Sequence, residues 1–369
     1  MAHSNYRHQD SLDGPLGFSA EQRFYEVLSN CKDEDSDSDT NEYNRPLLVR
    51  LVYEHAKELQ QDATAHGHFL RAFFDAIKLP PDGLSVDMEH ENADIRARLF
   101  GFADYLVHKF FLPLRASTGK TPQPTPDYHS ATSEAFVGTP QRLSALRGQC
   151  LTRDKHRCVI SRDYDKEKAR EQRKRRIPGS ATLDDDGQQV AQFSTLEVAH
   201  IIPHILFETD SEPQELAEAR KSAWEILHML DKKAAPLINA ADIDRPRNAL
   251  TLSMEMHQDF GRFEIYFTPI TEGNSPPNTY LIDSFSPAFH PMLPITRTLH
   301  LTESPTIEPP NPRLLALHRA IGHILHLSAA AQYIDSVLQS WEEQMARSDG
   351  STQLGELVRL GLSNLMNIR

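Results

Sequence analysis

The chain has 369 residues, and its 52 acidic residues exceed its 39 basic residues to give a net charge of −13. This length can supply the cores of two or three domains, and no apolar run reaches the ~20 residues that a membrane span needs. Three cysteines without a CxxC pair do not make a disulfide framework, and the acidic balance argues against a protein coated with nucleic acid. We therefore expect an intracellular protein, nuclear or cytoplasmic, that has no membrane partner.

The N-terminal part has the apolar spacing of amphipathic helices. Apolar positions recur at helical intervals over residues 45–59 and again over 69–77. The longest apolar stripe consists of Ile95, Leu99, Phe102, Leu106 and Phe110. Residues 1–113 are therefore predicted to form a helical domain. Residues 114–141 are rich in Pro, Ser and Thr and are predicted to be a linker.

Short β-like segments predominate in the predicted central domain, residues 142–300. The predicted strands lie within 157–161, 193–202, 250–252, 263–267 and 279–282. Two insertions interrupt them. Residues 166–189 are highly charged and are predicted to be exposed, whereas 213–233 has the periodicity of an amphipathic helix.

The C-terminal part, residues 301–369, is predicted to return to helix. Asn311 and Pro312 are a favourable cap and first-turn pair, so a helix should begin there and continue to about Ala346. A last helix is predicted over residues 354–366.

Three polar residues follow one another in an order suited to phosphodiester hydrolysis. His200 ends a strand-like run, and a histidine that titrates near neutral pH can activate a water molecule. Asn248 opens the next short strand, where its amide can hold backbone groups of a loop. His257 lies on a short helix and can bind a divalent metal, which would stabilise charge on a phosphate.

Four segments together resemble the HNH endonuclease family, in the form found in many fungal proteins: 158–161 (CVIS), 199–203 (AHIIP), 248–252 (NALTL) and 257–265 (HQDFGRFEI). The resemblance covers residues 147–285. It implies an α+β fold with a ββα-metal HNH core and insertions, flanked by the N-terminal helical domain and the C-terminal helices. It also implies DNA cleavage with a divalent ion, Mg²⁺, Mn²⁺ or Zn²⁺. By resemblance, His200 is the general base, Asn248 orients the loop and His257 is a metal ligand.

The second metal ligand is less clearly defined by the sequence. Many HNH nucleases have a metal-binding Asp, Glu or His at the position of Ala199. Because alternate residues of a strand share a face, Glu197 is the candidate for this second ligand. Two functions therefore stay open: a metal-dependent DNA endonuclease, or a degenerate HNH module that binds nucleic acid or protein.

A basic segment adjoins this motif. Residues 147–176 carry twelve Lys and Arg against five Asp and Glu, a local charge of 12 − 5 = +7. The candidates for nucleic-acid binding are Arg153, Lys155, Arg157, Arg173, Lys174, Arg175 and Arg176. The run 168–176 is compatible with a phosphate-contacting arm, a nuclear import signal or a solvated helix face, and the last of these is the favoured interpretation.

Several other residues with metal-binding side chains are expected to be structural or superficial. Cys158 has no CxxC partner, so a buried thiol is expected there rather than a zinc ligand. His318, His323 and His326 have no carboxylate at matching helical spacing and are expected on the surface.

Overall fold

The structure is a computed structural model that describes residues 15–31, 42–60, 63–81, 88–118, 140–175, 181–184, 186–203, 214–271, 273, 275–299 and 307–345. Within these residues α-helices predominate, and seven short strands form three small sheets. This mixture agrees with the predicted α+β class.

The N-terminal part consists of helices α1 (Pro15–Asn30), α2 (Arg45–Gln60), α3 (Ala63–Ile77) and α4 (Met88–Leu106). Helix α2 packs against the other three. The predicted stripe from Ile95 to Phe110 is buried, with each of its five side chains at most 5% exposed. The apolar periodicity of the sequence is thus confirmed as the buried face of α4 and of the turn that follows.

A π-helical turn, Val107–Phe111, joins α4 to α5 (Leu112–Thr118). Helix α6 (Pro140–Arg153) opens the central part, so residues 119–139 of the predicted linker lie outside the described residues. The strand predicted over 157–161 is wrong, because this segment is a turn in which Arg157 makes an isolated bridge.

Two parallel two-residue strands enclose a short charged helix. Strand β1 (Tyr164–Asp165) pairs with β2 (Phe193–Ser194), and α7 (Lys166–Arg175) lies between them in the chain. Helix α7 therefore occupies the start of the insertion that was predicted to be exposed. It buries only Ala169, which agrees with its high charge.

The second sheet is an antiparallel pair that is followed at once by a helix. Strand β3 (Leu196–His200) pairs with β4 (Ala249–Ser253), which places Leu196 opposite Ser253 and His200 opposite Ala249. Helix α9 (Met254–Gly261) begins directly after β4 and packs against both strands. The amphipathic helix predicted between the strands is α8 (Gln214–Asp231).

The third sheet consists of β5 (Ile265–Pro269), β6 (Thr279–Ser284) and β7 (Ile295–Thr298), paired antiparallel in that order. Helix α10 (Pro312–Leu327) packs against β5 and against α2, so it links the sheet to the N-terminal helices.

The C-terminal helices confirm the predicted cap but not the predicted length. The Asn311 side chain accepts a hydrogen bond from the backbone N–H of Arg313 at 2.9 Å and so caps α10. The helix ends at Leu327 because Ala329 has a φ of 61°, and α11 (Ala330–Met345) then starts a new helix. The helix predicted over 354–366 lies outside the described residues.

A single hydrophobic cluster contains side chains from the N-terminal helices, the central strands and α10. Among its members are Phe24, Leu252 and Ile321, each with an exposed fraction of 0%. The division of the chain into four parts, with boundaries at residues 113, 141 and 300, stays a prediction from the sequence.

No single helix among the described residues is long and apolar enough to cross a membrane. The bent pair Pro312–Leu327 and Ala330–Trp341, with an angle of 82° between its helices, passes that test of length and composition together. Buried helices of a protein core pass the same test, and α10 buries nine of its residues.

Candidate functional site

Strands β3 and β4 and helix α9 bring the polar residues of the motif together. Glu197 and His200 lie on β3, Asn248 immediately precedes β4, and His257 lies on α9. The Ser253 side chain accepts a hydrogen bond from the backbone N–H of Met256 and caps α9. This cap fixes the start of the helix directly after β4, so His257 faces the neighbouring strand.

Glu197 and His257 form a close pair between β3 and α9. The Nδ1 atom of His257 lies 2.6 Å from Oε2 of Glu197, and the two side chains are 9% and 19% exposed. An ionised carboxylate only accepts hydrogen bonds, so His257 donates through Nδ1 and carries its lone pair on Nε2. A carboxylate that fixes the tautomer in this way is the usual partner of a metal-binding histidine.

His200 is paired with a carboxylate that sequence analysis did not identify. Its Nε2 atom lies 3.1 Å from Oδ1 of Asp244, and both side chains are at most 5% exposed. By the same argument, Nε2 donates and the lone pair lies on Nδ1. Asp244 ends a short 3₁₀ segment, Ala240–Asp244, four residues before Asn248. The four-residue spacing between Asp244 and Asn248 is the one feature of the local sequence from which Asp244 could have been identified.

Asn248 joins the two segments that carry the His200–Asp244 pair. It is fully buried, and its Oδ1 atom accepts a hydrogen bond from the backbone N–H of Ile202 at 3.0 Å. Its Nδ2 atom donates to the carbonyl oxygens of Ile202 at 2.9 Å and Ile243 at 3.0 Å. One side chain thus holds the loop after His200 and the residue before Asp244.

His200 and His257 line one small cleft together with His318. The expectation that His318 lies on the surface is wrong, because it is 2% exposed and stacks on Phe260 at a centroid distance of 3.9 Å. Its Nε2 atom donates to the Phe260 carbonyl at 3.0 Å, and burial lowers its pKa to about 3. His318 is therefore a neutral residue that packs in the wall of the cleft.

The other two late histidines are also partly buried, which corrects the same expectation. His326 stacks on Phe285 at 4.4 Å and its side chain is 9% exposed. Burial lowers the pKa of His323 to about 4. The aromatic residues that pack on these two histidines lie far away in the sequence. The helical spacing within α10 therefore did not reveal that the histidines are partly buried.

The donors present suit a divalent ion but do not form a complete ligand set. Among the described residues, no group of three or more His, Cys, Asp or Glu side chains is arranged to hold a metal. His257 and Glu197 offer one nitrogen and one carboxylate donor. Imidazole nitrogen is a ligand type that suits Zn²⁺, and carboxylate oxygen suits Mg²⁺ and Mn²⁺ as well. Two protein ligands are enough where water and phosphate oxygens fill the other positions, as is common for Mg²⁺.

The basic residues nearest the motif are used inside the fold. The prediction that Arg153 contacts nucleic acid is wrong, because the residue is 1% exposed. Its guanidinium forms a bidentate pair with Asp154, at 2.9 and 2.8 Å, and donates to the carbonyls of Pro246 and Ala249. Arg153 therefore joins α6 to the segment that carries Asn248.

Lys155 and Arg157 are also paired with acidic residues. Lys155 lies 2.8 Å from Asp186, and Arg157 lies 2.6 Å from Asp184. The guanidinium of Arg157 lowers the pKa of Asp184 through a hydrogen bond, against the opposing effect of burial. Both basic side chains thus have a local partner, and their binding to nucleic acid stays a prediction.

The remaining candidates lie on the exposed end of α7. Arg173 lies over the Phe193 ring at 5.7 Å, while Lys174 and Arg175 are exposed beside it. Arg176 lies outside the described residues. Cys158 is a buried free thiol with an exposed fraction of 0%, as expected.

Residues 158–268 match the family model of the HNH endonucleases. The matched segment is a little under a third of the chain and contains Glu197, His200, Asn248 and His257. The resemblance to the HNH endonuclease family is thus confirmed over this segment. A search of curated proteins gives no match, and neither does a search of solved structures.

Proposed function

We propose that the protein is a metal-dependent endonuclease that hydrolyses phosphodiester bonds of DNA. One observation carries the proposal: the His200–Asp244 and His257–Glu197 pairs flank one cleft, inside the segment that matches the HNH endonucleases. In this proposal β3, β4 and α9 are the two strands and the helix of a ββα-metal core.

His200 would act as the general base. Its Nδ1 lone pair accepts a proton from the attacking water, while Asp244 holds the ring through Nε2 and stabilises the imidazolium that forms. Asn248 would be a positioning residue, because its three hydrogen bonds fix the backbone on both sides of this pair. A positioned base of this kind contributes about 10²–10⁴-fold to the rate.

His257 would hold the divalent ion through Nε2, while Glu197 at Nδ1 fixes the ring. Glu197 would become a second ligand only by leaving this hydrogen bond. When bound, such an ion supplies Lewis-acid stabilisation of the charge that develops on the phosphate oxygens. The base His200 lies on β3 and the ligand His257 lies on α9, and both line the same small cleft, so in this proposal the phosphate binds at the mouth of that cleft.

The exposed basic end of α7 is the proposed contact with the DNA backbone. Lys174 and Arg175 are exposed there, and phosphate contacts of this kind position a protein without reading sequence. The overall acidic charge would keep the affinity moderate, which suits an enzyme that must release its product.

A second candidate function is a binding module that has lost catalysis. It is favoured by Ala199, which is buried at the position of a usual metal ligand, and by the two-residue donor pair. Such a module would bind DNA through α7 and leave it intact.

Plasmid nicking by the full chain distinguishes the two functions. Supercoiled DNA is incubated with the protein in Mg²⁺, Mn²⁺, Zn²⁺ or EDTA, beside His200→Ala and the control Lys57→Ala, which changes an exposed residue of α2. The nuclease proposal expects nicking with at least one ion, none in EDTA, and a loss of roughly 100-fold or more for His200→Ala alone. Binding to DNA without nicking in any ion would favour the second candidate.

A further inference from the structure

A second and much larger cavity lies between α3, α4 and α8, and it shares no lining residue with the His200 cleft. Its volume is about 820 Å³, which lies within the roughly 300–1,000 Å³ of small-molecule sites. Helix α3 packs against both α4 and α8. The cavity is thus walled by helices that belong to the same hydrophobic cluster, and it is open to solvent on one side.

The wall of this cavity is mainly apolar and aromatic. Phe102 and Tyr105 of α4 stack with their rings 19° apart, and Trp224 of α8 lies across from them along the lining. Trp224 also packs on His228 at a centroid distance of 5.2 Å. Rings arranged in this way accept a flat or aliphatic body by burial of apolar surface.

Basic side chains outnumber acidic ones at the same cavity. His68, His228 and Lys232 line it together, whereas Glu225 is the one carboxylate among its described lining residues. Burial lowers the pKa of His68 and of His228, and the neighbouring Lys232 lowers both further. An anion placed beside Lys232 would favour the protonated form of both imidazoles, which would then donate hydrogen bonds to it.

We propose that this cavity binds a small amphipathic anion, with an apolar body against Phe102, Tyr105 and Trp224 and a carboxylate, sulfonate or phosphate head near His68, His228 and Lys232. The size of the cavity, its aromatic wall and the excess of basic side chains all support one such occupant. The site is separate from the proposed nuclease chemistry, so its occupancy can be measured without DNA.

Gly101 provides a means of blocking the cavity without disturbing the fold. It lies in the middle of α4 and lines the cavity, and a Cβ atom added there would meet nothing within 4 Å. Gly148 of α6 is equally open to a Cβ atom but lies outside the cavity. Gly101→Phe and Gly148→Phe therefore form a matched pair, since each replaces a helical glycine by a better helix former.

Fluorescence titration of the full chain with anilinonaphthalene sulfonate, and with the neutral N-phenylnaphthylamine, tests the proposal. We expect the sulfonate to bind at least about tenfold more tightly than the neutral probe, a difference of ~1.4 kcal/mol. Gly101→Phe should weaken the sulfonate by about tenfold or more, Gly148→Phe should leave it unchanged, and Lys232→Gln should weaken the sulfonate alone.

Three results would overturn the proposal. The first is equal affinity for the charged and the neutral probe, and the second is equal behaviour of the two glycine variants. The third is displacement of the sulfonate by a short single-stranded oligonucleotide, which would assign the cavity to nucleic acid instead. Circular dichroism of each variant shows that the fold is kept.

Discussion

Asn248→Ala should lower the free energy of unfolding by about 3–6 kcal/mol, because three buried backbone groups lose their hydrogen-bond partner at once. These groups are the N–H and the carbonyl of Ile202 and the carbonyl of Ile243. Each buried group left without a partner costs about 1–3 kcal/mol, and we use the lower half of that range because the loop can relax toward water. The total is a large part of the 5–15 kcal/mol that typical proteins have.

Urea unfolding of the wild type and of the variant measures this loss, and Thr251→Val is the matched control. Thr251 is also fully buried on β4, but its Oγ1 atom has no hydrogen-bond partner among the described residues. Its replacement by an apolar group of similar shape should change stability by less than about 1 kcal/mol, in the stabilising direction. Equal costs for the two substitutions would refute the assignment of Asn248 as the residue that holds the loop.

Hydrogen exchange at the Ile202 amide gives a local readout of the same change. In the wild type this N–H donates to Asn248 at 3.0 Å, so its exchange requires the loop to open. A local loss of about 3 kcal/mol corresponds to roughly 100-fold faster exchange in Asn248→Ala. Asn248→Asp keeps the acceptor but loses both donors, so it should protect the Ile202 amide better than alanine does.

Two other buried groups give further predictions. Arg153→Met leaves the Asp154 carboxylate buried without its bidentate partner, which should cost about 3–5 kcal/mol in urea unfolding. The added substitution Asp154→Asn should restore part of this loss, and a double variant no more stable than Arg153→Met would contradict the assignment. Burial lowers the folded-state pKa of His318 to about 3, below its unfolded value, so the unfolded chain binds a proton that the folded chain excludes. Stability from this group is therefore present above pH 6.5 and is lost as pH falls, by about 2 kcal/mol at pH 5. His318→Phe should reduce the slope of stability against pH in this window, and an unchanged slope would show that the folded chain binds the His318 proton as readily as the unfolded chain does.

The elements that local chemistry determines could be predicted from the sequence. The buried stripe of α4, the amphipathic helix α8 and the Asn311 cap of α10 follow from spacing and capping within one segment. The break between α10 and α11 was not predicted, because the apolar periodicity continues across Ala329 while its backbone turns to positive φ.

The parts of the site that depend on distant partners could not be predicted. The motif gives His200, Asn248 and His257, but the carboxylate paired with His200 comes from a 3₁₀ segment 44 residues later. Arg153 is charged and was predicted to bind nucleic acid, yet Asp154 and two backbone carbonyls accept its hydrogen bonds inside the fold. His318 is buried because Phe260 of α9 and Phe263, two residues after the end of that helix, stack on it. These contacts are long-range, and residue type alone does not reveal them.

Metal binding and plasmid nicking, measured side by side for the wild type, His257→Ala and His200→Ala, test the central claim most directly. We predict that His257→Ala loses both the calorimetric binding of Mn²⁺ and the nicking, because the proposed ligand is gone. We predict that His200→Ala binds Mn²⁺ as the wild type does but nicks at least about 100-fold more slowly, because only the base is removed. Wild-type metal binding by His257→Ala, or wild-type nicking by His200→Ala, would contradict the account.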